Sequence, residues 1–422
     1  MKKHIALFLS LLTLLMPLLS CSSQAAKAQT LAAPGAVKQD VLYTDVSDAF
    51  RKSLWAFADQ TSGAALAARP GDNSLYSPVS LYYALAMLEA GAAGKTKADL
   101  RDFLAAPALT SIGSELGKLY SLMTIEGQGR AEQIANALWI REDLIGQGKN
   151  GVRQGWLDQM STDFYASAFA VDFLKPKTSQ IMSAWVEEAT RGKIKPEIDV
   201  SDPDILMVLM NTVYFKADWV ESFPKEGILK DVFYGNDEVF DQVPYLTGSF
   251  DRYSVLETDR YLAGSLPLLN GRMQFILPNE GITPEELLAD PGLLTSLNEG
   301  AWTLARLQLR LPKFSYRTKV DVLEAMEGIG LTDIVKGSPD FSAMLDRGAE
   351  VSSISQETFI ALDESGVEAA GYTEVIMRET SMLDPDLMEV VQLTLDRPFL
   401  YVISDDAGTP LFVGILRNPL KG

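Results

Sequence analysis

The chain has one histidine, His4, and one cysteine, Cys21, among its 422 residues. Both stand in the N-terminal leader, so the body carries no imidazole and no unmodified thiol. A Ser–His–Asp or Cys–His catalytic set is therefore excluded. Histidine-ligated zinc and thiolate metal sites are excluded with it. A carboxylate-only site stays open, because Asp and Glu number 56. No paired-carboxylate motif stands out, however, and scattered acids read as a solvated face. Positive charge is scarce. The net charge is −19, and it becomes −21 when Lys2 and Lys3 leave with the leader. That balance argues against binding nucleic acid through its phosphates and against adhesion to anionic lipid through a basic patch. No internal repeat and no cofactor motif is present.

What is present begins with the leader. Lys2 and Lys3 precede an apolar stretch, residues 5–19, which is too short for an ordinary membrane span. It ends in Leu18-Leu19-Ser20-Cys21, which resembles a bacterial lipobox, in which the cysteine thiol is acylated and becomes the new N-terminus. Residues 1–20 are then a lipoprotein signal peptide. The alternative is ordinary secretion, with cleavage after Ala28. Ser22 after the cysteine resembles an outer-membrane address, so the expected location is the cell envelope or surface, held by lipidated Cys21. Residues 21–40 are small and polar, with Pro34-Gly35, and read as a flexible tether. The whole chain is 47% hydrophobic, and the remainder, 41–422, has no visible linker and is expected to be one large domain.

Within that domain, residues 363–381 (DESGVEAAGYTEVIMRETS) behave as a strand with no assigned sheet. Val367, Ala369, Gly371, Thr373, Val375 and Met377 share one face and carry no charge. Glu368, Ala370, Tyr372, Glu374, Ile376 and Arg378 share the other, with three charges and an aromatic ring. No proline follows Glu364 until Pro385, so every intervening N–H is available for a ladder. Gly366, Ala369, Ala370 and Gly371 are poor strand formers alone but offer little steric resistance to entry between neighbours. The alternative is an edge strand followed by a surface loop.

Elsewhere helix and strand patterns alternate. A helix over 47–58 places Phe50, Leu54 and Phe57 on one face. Ser77 before Pro78 forms a cap with proline at the first helical position; that helix runs through Ala90 and is closed by Gly91 and Gly94. Residues 206–215 read as a central strand covered on both faces, 307–314 as a second strand, and 399–404 with 411–416 as a hairpin. Residues 371–396 lack an evident packing partner.

Taken together, these segments resemble a serpin. Asn73 to Leu104 contains an SPxS helix and a GxxGxT turn. Asn136-Ala137-Leu138-Trp139, Phe164-Tyr165, Trp185-Val186 with Thr190-x-Gly192-Lys193-Ile194, Asn211 to Trp219, Leu311-Pro312-Lys313-Phe314, and Asp396-Arg397-Pro398-Phe399 through Asn418-Pro419 follow in the family's order. The resemblance implies an α+β fold, helices packed around three β-sheets, with an exposed reactive-centre loop at about 364–395. It implies a monomeric suicide inhibitor and not an enzyme: a target serine or cysteine protease cuts the loop, and the cut loop inserts into the main sheet. Glu364, Gly366, Glu368, Ala369, Ala370 and Gly371 match the inhibitory hinge, Val367 stands where Thr or Ser is usual, and Thr373 follows on the same face. Family spacing puts the reactive bond at Thr380–Ser381, suiting an elastase-like protease, with Arg378–Glu379 as a trypsin-like alternative. Lys313 and Glu364 would pair near Trp219. Ser77, Ser80 and Asn211 match a buried polar cluster whose usual histidine is replaced by Gln356. Ser77 also reads simply as a helix cap, and the Lys313–Glu364 pair as an ordinary surface pair. A non-inhibitory binding protein on the same fold is the alternative function.

Overall fold

In a computed structural model of the chain, residues 28–108, 111–146, 151–236, 238–368 and 388–421 are described. Their strands fall into two sheets. The main sheet contains β1 (Gln29–Ala32), β3 (Ile125–Gly127), β4 (Arg130–Arg141), β5 (Ala166–Val171), β6 (Met207–Asp218), β12 (Phe314–Asp321), β13 (Ser355–Leu362) and the two-residue β14 (Gly366–Val367). Its order is β1-β5-β4-β6-β14-β13-β12, with β3 paired to β4. The second sheet contains β2 (Ser74–Tyr76), β7 (Leu229–Tyr234), β8 (Val239–Glu257), β9 (Tyr261–Leu268), β10 (Gly271–Pro278), β11 (Thr303–Pro312), β15 (Val390–Thr394), β16 (Phe399–Asp405) and β17 (Pro410–Leu416). The three expected sheets are hydrogen-bonded into two because β8, nineteen residues long, pairs with β7, β9 and β11 along its length.

Helices cover both sheets. Ser47 caps α1 (Asp48–Ala67) by accepting from the Phe50 N–H, and Phe50, Leu54 and Phe57 lie on its buried face. Ser77 caps α2 (Pro78–Gly91) through the Ser80 N–H, with Pro78 in the first turn where its missing donor does no harm. Almost every α2 side chain is buried, because this helix packs against β6 of the main sheet and β17 of the second. Gly94, expected to close α2, instead opens α3 (Gly94–Phe103) with a positive φ of 52°. Then follow α4 (Ile112–Leu122), α5 (Gln154–Asp163) and α6 (Pro176–Ala189). The principal core fills the space around α1, α2 and the second sheet. A smaller core, with Trp139, Phe169 and Trp185, lies between the opposite face of β4 and β5 and helix α6.

Four further expectations change. The tether contributes β1, which pairs antiparallel with β5 through Gln29–Ala170 and Thr30–Phe169; the edge of β5 supplies free backbone groups and Leu31 packs against the core. The central strand extends to Asp218, yet Met207 to Asn211 are only half buried, because the sheet opens beside them. The strand expected at 307–314 divides into β11 and β12, one in each sheet, at Lys313. Within 371–396, β15 pairs in parallel with β11, Leu307 opposite Val391 and Leu309 opposite Leu393. A parallel partner has no connecting hairpin to advertise it.

Candidate functional site

Strand β14 is where the chain re-enters the main sheet after β13. Asp363 builds the turn: its Oδ1 accepts from the N–H groups of Ser365 (2.8 Å) and Gly366 (3.3 Å). Trp219 braces the turn by donating Nε1–H to the Asp363 carbonyl (3.0 Å) and its own N–H to the Ser365 carbonyl (2.9 Å). The Phe223 N–H reaches the Glu364 carbonyl (3.0 Å). Lys313 Nζ lies 2.5 Å from Glu364 Oε2, so the sequence-expected pair forms beside Trp219. The hydrogen-bonded Lys313 ammonium holds the Glu364 carboxyl below its usual range. This pair therefore favours the folded turn above the ordinary carboxylate range, and the contribution is lost as pH falls through the lowered value.

Beyond the turn, Gly366 pairs with Asp218 and Val367 with Ala217 of β6, while Val367 faces Leu362 of β13. Both pairings are antiparallel. A Cβ on Gly366 would sit 2.3 Å from the Ala217 carbonyl oxygen, so only glycine allows the hinge backbone this close to β6. Val367 is buried in the principal core. Glu368 then takes a positive φ of 51°, and its N–H still reaches the Ala361 carbonyl (2.6 Å). Its carboxylate accepts from the Tyr214 hydroxyl (3.0 Å) and lies 3.1 Å from Lys193 Nζ. Burial first, and the Glu368 charge second, push the Tyr214 hydroxyl pKa up. Tyr214 and Lys193 escaped the sequence reading as partners, because nothing in local spacing joins them to the hinge.

Below β14 the sheet is open. Among the described residues, β6 and β13 share no ladder. Between them lies a slot of about 1030 Å³, lined by 207–215 of β6 and 355–361 of β13. One side is lined by Ser77, Ser80, Leu81, Ala84 and Leu88 of α2 and its cap; the other by Val186 of α6 and the segment after that helix, including Lys193. The polar cluster lines the slot but divides across it. Gln356 Oε1 accepts from the Ser77 N–H (2.7 Å) and its Nε2 donates to the Ser77 carbonyl (2.9 Å), while Ser77 Oγ caps the Ser80 N–H (3.4 Å). The amide in place of histidine thus uses both functions. Asn211 turns to the other half of the sheet: its Nδ2 donates to Asn136 Oδ1 (2.7 Å), and Asn136 donates to the Phe164 carbonyl (2.7 Å). Asn211 Oδ1 is buried without a partner. Ala369, Ala370, Gly371, Thr373, Arg378, Glu379, Thr380, Ser381 and Cys21 lie outside the described residues.

A strand seated at the mouth of an open slot agrees with the comparisons. Residues 53–419 match the family described as Serpin (serine protease inhibitor), and the chain belongs to that family. Serpin-Z1A of Triticum aestivum is 28% identical over 82% of this chain and 90% of its own length; Serpin I2 of Homo sapiens is 28% identical over 82% and 86%. The native structure of the thermophilic serpin tengpin superposes with a TM-score of 0.77, at 23% identity, covering 93% of this chain and 99% of that one. Human thyroxine-binding globulin complexed with its ligand superposes with a TM-score of 0.73, at 24% identity, covering 88% and 99%. The family at large consists of inhibitors and not catalysts, while thyroxine-binding globulin is by its name a binding protein.

The Gly366 contact yields a direct test. Gly366→Ala drives a methyl group into the β6 backbone, so β14 is expelled and the brace on Trp219 is lost. The expected result is a red-shifted Trp219 emission and a destabilisation of about 1–3 kcal/mol by denaturant unfolding. Unchanged emission and stability would show that the hinge does not sit against Ala217.

Proposed function

We propose that this protein inhibits proteases by serving as a suicide substrate whose cleaved loop completes the main sheet. The observation that carries this reading is the position of Gly366–Val367, already paired antiparallel to both walls at the top of the open slot. Insertion of a serpin loop is an established instance of strand addition and of stored strain released on cleavage. Continuing the observed register down β6 sets Ala369 opposite Phe215, Gly371 opposite Val213, Thr373 opposite Asn211 and Met377 opposite Met207. Phe215, Val213 and Met207 all face the principal core, so the uncharged face of the loop is the one that would be buried. Continuing it down β13 sets Thr373 opposite Gln356 as well. The Thr373 hydroxyl would then stand between Gln356 and the unpartnered Asn211 oxygen, rejoining the divided polar cluster.

The bait bond is Thr380–Ser381, which fits a small-residue pocket of elastase type; Arg378–Glu379 is the alternative, fitting a trypsin-like pocket through charge pairing. No cofactor takes part, and the inhibitor works as a monomer. The carrier reading has one observation in its favour, the likeness to thyroxine-binding globulin. One experiment separates the two. Mature protein is mixed with an elastase-like and a trypsin-like protease and followed on denaturing gels and by intact mass. A covalent complex, with a released peptide beginning at Ser381 or Glu379, is the expected result. Thr373→Glu should be cut at the same bond yet leave the protease active, because a charge facing the core resists burial. Clean cleavage of the wild type with full protease activity would favour the carrier.

The lipobox-like Cys21 supports a location on the cell envelope, at the outer membrane or cell surface, where the inhibitor would shield that surface from proteolysis. Each buried methylene of an acyl chain contributes about 0.8 kcal/mol to anchoring. The wild type should require detergent for release from washed membranes, and Cys21→Ser should not. Soluble recovery of the wild type without acyl mass would leave simple secretion.

A further inference from the structure

The two halves of the main sheet are fastened to the second sheet by different groups. On the β12–β13 side, the Tyr316 and Tyr401 hydroxyls meet at 2.5 Å, the Leu75 N–H donates to Thr318 Oγ1 (3.1 Å), and Thr358 Oγ1 donates to the Leu75 carbonyl (3.0 Å). On the β4–β6 side the corresponding join contains two acids. Glu132 of β4 and Asp405 of β16 are 1% and 5% exposed, and the segment at Asn270 brings them together: the Asn270 amide bonds Glu132, its carbonyl accepts from the Asp406 N–H (3.2 Å), and Gly271 pairs with Asp405. Asn270 Nδ2 donates to Glu132 Oε2 (3.2 Å), and the Thr409 N–H donates to Asp405 Oδ1 (2.7 Å). Glu132 Oε1 has no conventional donor. Two buried carboxyl groups in one join, with few donors between them, are accommodated at least cost when one keeps its proton and donates it to the other.

We propose that Glu132 and Asp405 form a proton-bridged acid pair that ties the β4 half of the main sheet to the second sheet, and that the tie weakens as the solution becomes alkaline. The surroundings favour retention of a proton. Asp406 adds a like charge to both acids. Arg272 and Arg130 act mainly on Asp406, with Arg272 also near Asp405. Tyr83 of α2, which donates to the Leu116 carbonyl (2.8 Å), faces the pair from the helix side. Burial pushes Asp405 up to about 6, and burial together with Asp405 pushes Glu132 well above its usual range. Both shifts are upward, so the folded state holds protons that the unfolded chain releases at about pH 4. The pair's contribution is complete below that point and is lost as pH rises through the folded values. A cleft of about 330 Å³ lined by Asp405, Asp406 and Arg272 borders the Asp405 end of the pair. With both acids ionised, two buried like charges would face each other across the join.

The tie concerns the join between the sheets whether or not the loop inserts, so its test needs no protease. The thermal midpoint of the mature chain is measured from about pH 5 to about pH 9 in the wild type and in Glu132→Gln. Glutamine keeps an acceptor for Asn270 and supplies a permanent donor to Asp405. The wild-type midpoint should fall with rising pH by roughly 5 °C more than that of Glu132→Gln. If Glu132→Gln does not fold, Asp405→Asn carries the same expectation, since its amide donates to Glu132 at every pH. Parallel midpoint curves for wild type and variant overturn the proposal. So does a wild-type midpoint that does not fall with pH, without recourse to any variant.

Discussion

Among the described residues, β6 and β13 face each other across the main sheet with only the two-residue β14 between them, and the site is arranged around that gap. Among the described residues, the residue pairs of β6 with β14 end at Ala217 and those of β13 at Leu362. Each further backbone bond made there would contribute about 0.5–1.5 kcal/mol net, and each apolar side chain entering the core face adds burial. Two edges left open in this way have the geometry to accept a further strand. The contacts that hold β14 lie at its two ends.

At the upstream end the restraint is geometric. Asp363, Trp219 and the Lys313–Glu364 pair fix the turn, and Gly366 lets the hinge approach β6 more closely than any side chain would permit. At the downstream end Glu368 departs from strand geometry, and its carboxylate is held by Tyr214 of β6 and by Lys193 from beyond α6. Lys193 also lies over the Phe359 ring of β13, 5.5 Å from its centroid. One lysine thus touches both the hinge, at Glu368, and the β13 wall, at Phe359. The polar cluster deeper in the slot is split, with Gln356 serving Ser77 on one wall and Asn211 serving Asn136 on the other. A hydroxyl at the position of Thr373 is the group chemically suited to join them.

The sequence revealed what depends on local periodicity. The two faces of residues 363–381 follow from alternation alone, and Val367 is buried in the structure on the uncharged face. Ser77-Pro78 and Ser47 announce helix starts because capping is local. Lys313 and Glu364 came together only through the family resemblance, since no local pattern pairs them. The partner of β15 was missed because parallel pairing is non-local, and β1 was missed because a four-residue strand in a polar tether has little pattern of its own. Glu132 shows a different limit. A glutamate among scattered acids reads as solvated, and only the fold places it against Asp405.

The most direct test of the central claim compares heat stability before and after a single cut in the 378–381 region. If the gap is a reserved strand position, the nicked chain should melt far above the intact one, because the freed loop completes the ladders of β6 and β13. If nicked and intact protein melt at the same temperature, the slot does not accept the loop and the insertion account is wrong.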